Sequence, residues 1–374
     1  MKKVGLVTII DYKNYGNRLQ NFAAQQVLES LGCDVVTLLN NPYKNIVHKR
    51  SIMERLKGKS FFDIVQAINN RIKKIKTNSI NIEKEKALKE FSYININESD
   101  FILSADSIPE NLGERFGYFV VGSDQVWNPT FRNGSCIDFL TFAPQNKRIA
   151  YAPSFGISEI PIEYHKDYKK WLSEFSNLSV REDAGAKIIK DLTGRNAIVL
   201  IDPTLMLSKE EWLNVSKPSL LKPDKPFILT YFLGELSKET KGFIKSLSKD
   251  DNLEIVNLGN YKDIKRYATS PSEFIDYINS SSIFLTDSFH GVVFSILMEK
   301  PFVVFDRIGN IPSMNSRIDT ILGKFNLTKR KFNHAKTPSD YLEIDYSHVP
   351  SILERERQRT IDYLKEALNI KDEN

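Results

Sequence analysis

Residues 283–305 read Ile-Phe-Leu-Thr-Asp-Ser-Phe-His-Gly-Val-Val-Phe-Ser-Ile-Leu-Met-Glu-Lys-Pro-Phe-Val-Val-Phe. The run Ile283–Thr286 is apolar and rich in residues that favour strands, and a polar turn follows it at Asp287-Ser288. A helical segment is expected from about His290 to Glu299, after which Lys300-Pro301 opens a second apolar run. This stretch therefore predicts one βαβ unit whose loop ends at a helix start.

The helix start is the first candidate binding site. Asp287 or Ser288 can cap the helix, and the unpaired amides of its first turn favour a bound phosphate or carboxylate. His290 belongs to that first turn, where an imidazole can donate a proton to an anionic ligand near neutral pH. A buried histidine at a helix start would give the same pattern, so both interpretations stay open.

The composition limits the class of protein. The chain has 374 residues, of which 41% are hydrophobic and 26% charged, as expected of a soluble protein with two ordinary domains. No run approaches the roughly 18 to 20 apolar residues of a membrane span. Cys33 and Cys136 make neither a disulfide framework nor a metal cluster, and the histidines lack the spacing of metal ligands. We therefore predict a cytoplasmic protein that needs no metal and no cofactor.

Positive charge is concentrated in one segment. Between Lys44 and Lys76, ten Lys or Arg residues stand against Glu54 and Asp63, which makes this segment +8 in a chain of +5. Interleaved apolar residues predict a basic helical insert over about 44–100. The insert either covers the sheet as a solvated helix pair or rests on an anionic membrane at its inner face, near a lipid-linked diphosphate. Nucleic acid is not expected because no helix-turn-helix or aromatic strand motif accompanies the charge.

The N-terminal half alternates strands and helices in a Rossmann-like order. A strand is predicted at Val4–Ile10 and a helix from about Arg18 to Leu31. Gly16 alone cannot form the Gly-x-Gly-x-x-Gly turn of a dinucleotide site, so NAD is disfavoured. Asn17 and Arg18 place polar groups at a strand edge where open α/β sheets bind ligands, although a helix cap with surface polar residues would look the same.

A second polar loop, Ser123-Asp-Gln-Val-Trp-Asn-Pro129, follows the predicted strand Tyr118–Gly122. Donors and acceptors for sugar hydroxyls come from Asp124, Gln125 and Asn128. Asp124 is also a candidate general base, although a carboxylate of ordinary pKa is a weak one. Trp127 either packs its flat face against a sugar ring or belongs to the core.

Two arginines are candidate anion ligands. A short strand at Leu178–Val180 is expected to run into a helix from about Glu182, which puts Arg181 at a strand edge where its guanidinium suits a phosphate or carboxylate. A salt bridge to a neighbouring acid is the other interpretation of Arg181. A helix predicted from Asn315 to Leu322 places Arg317 in its first turn as a second anion clamp.

Five motifs in this order resemble the polysaccharide pyruvyl transferase family. They are Gly-Asn-Arg-Leu-Gln-Asn at 16–21, Gly-Ser-Asp-Gln-Val-Trp-Asn at 122–128, Ser-Val-Arg-Glu at 179–182, Asp-Pro-Thr at 202–204 and Thr-Asp-Ser-Phe-His-Gly at 286–291. The resemblance spans roughly residues 1–325 without the basic insert. It implies two Rossmann-like lobes similar to GT-B glycosyltransferases, with phosphoenolpyruvate bound between them.

The resemblance also implies roles for individual residues. His290, which precedes Gly291, is the general acid of the motif, and Arg181 contacts the donor. The family commonly has Arg-Leu-His-Gly where this chain has Ser288-Phe-His-Gly, so a hydroxyl replaces a guanidinium at the donor. Arg317 or Arg18 can supply the missing charge, or the donor is a different anion.

The predicted organisation is an α/β protein of two Rossmann-like lobes with a basic helical insert in the first. Residues 1–205 form the first lobe on the acceptor side, residues 206–349 form the second lobe on the donor side, and residues 350–374 form a helix that can pack back on the first lobe.

The predicted activity is transfer of the enolpyruvyl group of phosphoenolpyruvate onto a sugar or lipid-linked oligosaccharide as a pyruvate ketal, in the synthesis of a surface polysaccharide such as a capsule or exopolysaccharide. The alternatives are a GT-B glycosyltransferase using a nucleotide sugar and a non-catalytic scaffold of polysaccharide assembly.

Overall fold

A computed structural model describes residues 1–42, 81–308, 315–332 and 337–371 of the chain. Most of the predicted basic insert, residues 44–80, lies outside the described residues, and its membrane contact stays a prediction. The rest of the insert contains a helix over 81–95 and then an edge strand of the first sheet.

The first lobe is built on a five-stranded parallel sheet with the order β3-β2-β1-β4-β5. Its strands are β1 (Lys2–Val7), β2 (Cys33–Asn41), β3 (Glu98–Ser104), β4 (Tyr118–Val121) and β5 (Arg148–Ala150). A separate parallel pair follows, β6 (Ser179–Val180) and β7 (Ile198–Val199).

The second lobe is built on a four-stranded parallel sheet with the order β11-β10-β8-β9. Its strands are β8 (Phe227–Tyr231), β9 (Glu254–Asn257), β10 (Ile283–Thr286) and β11 (Phe302–Val304).

Helices surround both sheets. The described α-helices are α1 (Tyr15–Ser30), α2 (81–95), α3 (Leu112–Arg115), α4 (Pro129–Arg132), α5 (His165–Ser173), α6 (Asp183–Thr193), α7 (Lys209–Val215), α8 (Lys238–Asp250), α9 (Ile264–Tyr267), α10 (Pro271–Ser280), α11 (Phe289–Leu297), α12 (Asn315–Lys324) and α13 (Val349–Ala367). Short 3₁₀ helices lie at Cys136–Phe139, Gln145–Lys147, Ile162–Tyr164, Pro203–Leu205, Thr328–Arg330 and Pro338–Tyr341. Two parallel-sheet α/β lobes facing one another confirm the predicted GT-B-like fold class.

The βαβ unit predicted from residues 283–305 is present as β10, α11 and β11. Ser288 is the residue that caps α11, because its Oγ accepts a hydrogen bond from the Gly291 amide at 3.3 Å. Every residue of α11 is buried. A helix that is apolar on all sides needs neighbours on all sides, so this unit lies at the centre of the molecule.

Two elements differ from the sequence expectations. The strand β3 begins at Glu98, inside the stretch of about 44–100 that was predicted to be a helical insert. Its exposed and buried residues alternate, as is usual for an edge strand, so it lacks a continuous apolar run. The boundary predicted between the lobes at residues 205 and 206 is followed by α7, which the sequence analysis did not predict and whose start is a capping box formed by Ser208 and Glu211.

One hydrophobic core extends through both lobes. Trp212 of α7 is fully buried and lies with its ring centroid 5.7 Å from that of Phe22 in α1 and 4.9 Å from that of Phe294 in α11. The same core includes Leu364 of the last helix. Separating the lobes would expose this core to water. Apolar packing therefore holds the two lobes together, in addition to the covalent connection between them.

The last helix, α13, contacts the first lobe. Its Tyr363 hydroxyl donates a hydrogen bond to the Ala150 carbonyl at 2.6 Å, at the end of β5. Just beyond the helix, the Lys2 ammonium donates to the Asn369 carbonyl at 2.7 Å. None of the helices in the described part of the chain combines the length and the apolar character that a membrane crossing requires.

We expect Leu364→Ala to lower the free energy of unfolding by about 3 kcal/mol, because Leu364 is fully buried and its removal leaves a cavity. Urea denaturation followed by circular dichroism measures this. Gln358→Ala, an exposed position of the same helix, is the control and should change stability by less than about 0.5 kcal/mol. Equal losses in the two variants would mean that α13 does not contribute to the core.

Candidate active site

A cavity of about 540 Å³ lies between the two lobes, at the ends of strands from both sheets. Open α/β sheets bind ligands at this edge. The first lobe contributes polar side chains to its lining, among them Asp11, Asn14, Asn17, Asn40, Asn41, Asp124 and Gln125. The second lobe contributes Leu233, Ser288, Phe289, His290, Arg307 and Arg317.

His290 lines the cavity from the first turn of α11 and is only 6% exposed. Its Nε2 lies 3.7 Å from Oδ2 of Asp202. On the other side of the ring, a Cβ added at Gly16 would lie 2.2 Å from Nδ1. The imidazole is therefore held between a carboxylate and the backbone of α1, and only a glycine allows α1 to come so close.

Asp202 is the most heavily used carboxylate of the site. Its Oδ2 accepts hydrogen bonds from Nη1 of Arg181 at 2.6 Å and from Oγ of Ser123 at 3.0 Å, while Oδ1 accepts from the Thr204 amide at 3.0 Å. Burial alone would raise the pKa of Asp202, but the charge of His290, and then that of Arg181, holds this pKa far below its ordinary value. Asp202 therefore stays ionised and serves as a counter-ion of Arg181.

Two guanidinium groups lie on the ring of Phe289. The centroid of that ring is 4.3 Å from Cζ of Arg181 and 5.7 Å from Cζ of Arg317. Both arginines are buried, and burial, followed by the Arg181 charge, lowers the pKa of Arg317. Because a guanidinium keeps its proton even so, this part of the site carries a concentrated positive charge.

The two arginines differ in their access to the cavity. Arg317 lines it, whereas Arg181 lies behind the lining, where its Nη2 is 3.6 Å from Oδ1 of Asp124. Within the described residues, Nε and Nη2 of Arg181 have no hydrogen-bond partner. The structure thus brings His290, Arg181 and Arg317 together, but a ligand in the cavity reaches Arg317 first.

Asp124 lines the cavity opposite His290. Its Oδ2 accepts a hydrogen bond from Nδ2 of Asn17 at 3.0 Å. Burial raises the pKa of Asp124, but the charges of Arg181 and His290 outweigh it and lower this pKa below its ordinary value. A carboxylate with a lowered pKa is a weak proton acceptor but a good hydrogen-bond acceptor. Asp124 is therefore a less suitable general base than the sequence suggested.

Ser288 and Gly291 both shape the loop before α11. The Ser288 side chain lines the cavity while it caps the helix. A Cβ added at Gly291 would lie 2.8 Å from Oγ1 of Thr286, so this glycine lets the helix start close to β10. Asp287, which lies between β10 and α11, accepts hydrogen bonds from the Leu233 and Gly234 amides at 2.7 and 2.8 Å. These bonds fix the loop.

The structure does not bring Arg18 or Trp127 to the cavity. Arg18 is fully buried and donates hydrogen bonds to the Ile9 carbonyl at 2.8 Å and to Glu98 at 3.2 Å, so it supports the loop between β1 and α1. Trp127 is stacked on Phe139 in the first-lobe core, with ring centroids 5.4 Å apart.

Gln125 and Asn128 come from the same loop but have different surroundings. Gln125 lines the cavity, and its Oε1 accepts a hydrogen bond from Nδ2 of Asn128 at 2.9 Å. Asn128 is buried and caps α4 through the Thr130 amide at 3.0 Å. Asn128 therefore orients Gln125 and does not face a ligand itself.

Asp202, Gly16 and Phe289 are among the residues of the site that sequence reasoning passed over. Asp202 was only part of a motif, although an acid directly after a predicted strand and before a proline is a recognisable signal. Gly16 was weighed only as a dinucleotide glycine. Phe289 gave no signal, because its contact with two arginines depends on how distant segments fold.

A sequence model of the family described as polysaccharide pyruvyl transferase matches residues 14–309, and the chain belongs to this family. Comparison with curated protein sequences found no match.

Solved structures with a similar fold include a UDP-GlcNAc 2-epimerase from Neisseria meningitidis bound to UDP-GlcNAc. The two chains share 11% sequence identity and a TM-score of 0.45, and the match covers 99% of this chain and 100% of that one. A UDP-N-acetylglucosamine 2-epimerase from Rickettsia bellii has 12% identity and a TM-score of 0.43, covering 99% of this chain and 100% of that one. These values carry no inference about substrate.

We expect Gly16→Ala to displace the His290 ring, because the added methyl group would overlap Nδ1. The ¹³C-¹H NMR signal of the His290 ring should shift in this variant. Gly242→Ala is the matched control, because a Cβ at this helical glycine meets nothing within 4 Å. An unchanged His290 signal in Gly16→Ala would contradict the contact between α1 and the imidazole.

We expect Asp202→Asn to cost about 3 to 5 kcal/mol of stability at pH 7, because it removes the nearest counter-ion of the buried Arg181. The pKa of Asp202 is lowered in the folded state, so its stabilisation is complete above the unfolded value of about 3.9 and is lost as the pH falls toward the folded value.

The difference in free energy of unfolding between wild type and Asp202→Asn should therefore narrow below about pH 4. Denaturant titrations from pH 7 to pH 3 measure this difference. A difference that stays constant over this range would argue against a lowered pKa.

Proposed function

We propose that the protein transfers the enolpyruvyl group of phosphoenolpyruvate onto a sugar of a surface-polysaccharide precursor, forming a pyruvate ketal and releasing phosphate. Membership of the family supports transfer within polysaccharide synthesis. The observation that carries the specific proposal is that Arg317, His290 and the start of α11 meet at one wall of the cavity between the lobes.

The proposed donor, phosphoenolpyruvate, carries a carboxylate and a phosphate. The cavity wall formed by Arg317, His290 and the start of α11 suits both groups. Arg317 lines this wall of the cavity, as does Arg307, and Arg181 lies behind the lining with its guanidinium on the Phe289 ring. Ser288 caps only the Gly291 amide, and helix geometry leaves the Phe289 and His290 amides without intrahelical acceptors. These amides and the helix dipole stabilise a phosphate at the helix start.

His290 is the proposed general acid. It donates its proton to the methylene carbon of phosphoenolpyruvate, whose double-bond electrons form the new C–H bond and leave a cation at the central carbon. A sugar hydroxyl then adds to this carbon and loses its proton. The Asp202 carboxylate lies 3.7 Å from Nε2 of His290 and is thus placed beside the nitrogen that would carry the transferred proton.

The second half of the reaction releases phosphate. Cleavage of the bond between the central carbon and the phosphate oxygen restores the cation, and phosphate leaves with the bonding electrons. A second hydroxyl of the same sugar adds, closes the ketal and gives up a proton, so one proton replenishes His290 and one leaves with phosphate. Arg317 and Arg181 stabilise the charge that develops on the leaving group.

The acceptor sugar is proposed to occupy the first-lobe side of the cavity. Amide and carboxylate groups line this side, among them Asn14, Asn17, Gln125 and Asp124. Such groups form hydrogen bonds with sugar hydroxyls. With its lowered pKa, Asp124 accepts a hydrogen bond from the attacking hydroxyl and orients it.

The proposal extends to the cellular setting. Phosphoenolpyruvate is a substrate, and the scheme uses no separate cofactor or metal. A cytoplasmic protein working on a lipid-linked oligosaccharide would meet its acceptor at the inner face of a membrane, where a basic segment at 44–76 would be attracted to anionic lipids.

We expect phosphoenolpyruvate to bind the wild-type protein in isothermal titration calorimetry and Arg317→Gln to weaken this binding roughly tenfold to 100-fold, the cost of one charge-assisted contact. Arg355→Gln, an exposed arginine of α13, is the control and should leave the affinity unchanged. His290→Gln should keep most of the affinity, because its proposed role is proton transfer.

The same titrations test the competing functions. Binding of a UDP- or GDP-sugar without binding of phosphoenolpyruvate would indicate a glycosyltransferase. Binding of neither class of donor would favour a scaffold. Equal affinities of wild type and Arg317→Gln for phosphoenolpyruvate would refute the proposed donor site while leaving the family assignment intact.

A further inference from the structure

Lys84 of α2 lies in a box of aromatic rings. Its Nζ is 4.2 Å from the ring centroid of Tyr15, 4.5 Å from that of Tyr267 and 5.6 Å from that of Tyr231. Lys84 is only 3% exposed. Lysine is rarely buried to this extent unless it is paired with an acid, so this arrangement calls for a physical reason.

The rings take the place of an acid. Among the described residues, no carboxylate forms an ion pair with Lys84. Burial lowers the pKa of Lys84 to about 8, and the charge of Asp11 opposes this shift, so Lys84 is largely protonated at pH 7. An ammonium removed from water is destabilised unless other groups compensate, and the faces of aromatic rings attract a desolvated cation.

The box is built from both lobes. Lys84 and Tyr15 belong to the first lobe, whereas Tyr231 ends β8 and Tyr267 ends α9 in the second. Two hydrogen bonds cross the same boundary: the Tyr15 hydroxyl donates to the Tyr267 carbonyl at 3.3 Å, and the Tyr267 hydroxyl donates to Oδ1 of Asn81 at 3.1 Å. Separating the lobes would remove two of the three rings from Lys84.

The box is adjacent to the cavity wall. Tyr15 is followed in α1 by Gly16, the residue against which the His290 ring lies. Tyr15 is also stacked on Phe274 of α10, with ring centroids 4.6 Å apart. A shift of Tyr15 would therefore move the backbone that touches His290.

We propose that Lys84 is a positioning residue that clamps the two lobes together through its charge, and so keeps Gly16 in contact with His290. The clamp acts in the protein without ligand, and it does not depend on which donor the cavity binds. Loss of the charge frees the lobes to separate at this edge, while the shared hydrophobic core keeps each lobe folded.

Hydrogen–deuterium exchange of the ligand-free full chain at pH 7 tests the proposal. Lys84→Gln keeps the length of the side chain and removes the charge, and amides at the start of α1 and in α9 should exchange about tenfold faster. Lys84→Arg keeps a cation over the rings and should exchange at the wild-type rate. Lys86→Gln, an exposed lysine of the same helix, is the matched control and should also match wild type.

A second variant shows whether the effect runs through the box. Tyr267→Leu removes one second-lobe ring, and combining it with Lys84→Gln should give less than the product of the two single effects on the exchange rate. Independent effects, or wild-type exchange in Lys84→Gln, would overturn the proposal. If Lys84→Gln does not fold, the proposal is tested with Tyr267→Leu and Tyr267→Phe, of which only the second keeps the ring. The same amides should exchange faster in Tyr267→Leu than in Tyr267→Phe, and equal exchange rates would overturn the proposal.

Discussion

The arrangement of the site depends on one buried carboxylate, Asp202. It is 1% exposed, and it lies 2.6 Å from the Arg181 guanidinium and 3.7 Å from the His290 imidazole. Arg181 belongs to the first lobe and His290 to the second. A charge buried this deeply is tolerated only when its partners are in place, so folding of the first lobe and approach of the second are linked through this one group.

The packing around Asp202 explains why the lobes lie so close together. The helix α11 carries His290 into the first lobe, and every residue of this helix is buried. Gly16 leaves room for the imidazole where any side chain would overlap it. The cation of Lys84 adds a polar contact at another point of the same boundary. Apolar packing, an ion pair and ring contacts therefore all favour one relative placement of the lobes.

Much of the fold could be predicted because its signals are local. The unit from Ile283 to Phe305 follows the apolar period of strands and a buried helix, with Ser288 as its cap, and the structure has these elements. The edge strand β3 lacked such a signal, since one of its faces is exposed and polar. Local pattern thus predicts central elements well and peripheral ones poorly.

The depth of each side chain in the site could not be predicted in the same way. Arg181 and Arg317 were both expected from their positions near strand and helix ends, yet only the packing of distant segments places Arg317 in the cavity lining and Arg181 behind it. Trp127 had the chemistry of a sugar platform, but Phe139 and the first-lobe core cover it. Such outcomes depend on contacts between segments far apart in the chain.

Position 288 holds a serine where the resemblance to the family led us to expect an arginine, and the geometry of the site gives this an electrostatic explanation. An arginine there would add a further guanidinium to a region that already holds Arg181, Arg307 and Arg317, and each would raise the cost of burying the others. Burial, and then the charge of Arg181, already lower the pKa of Arg317, so a further cation beside it would add to this cost. Arg317, in the first turn of α12, already places positive charge at the cavity. A serine then suffices at 288, because what the loop still requires there is an oxygen to cap the helix.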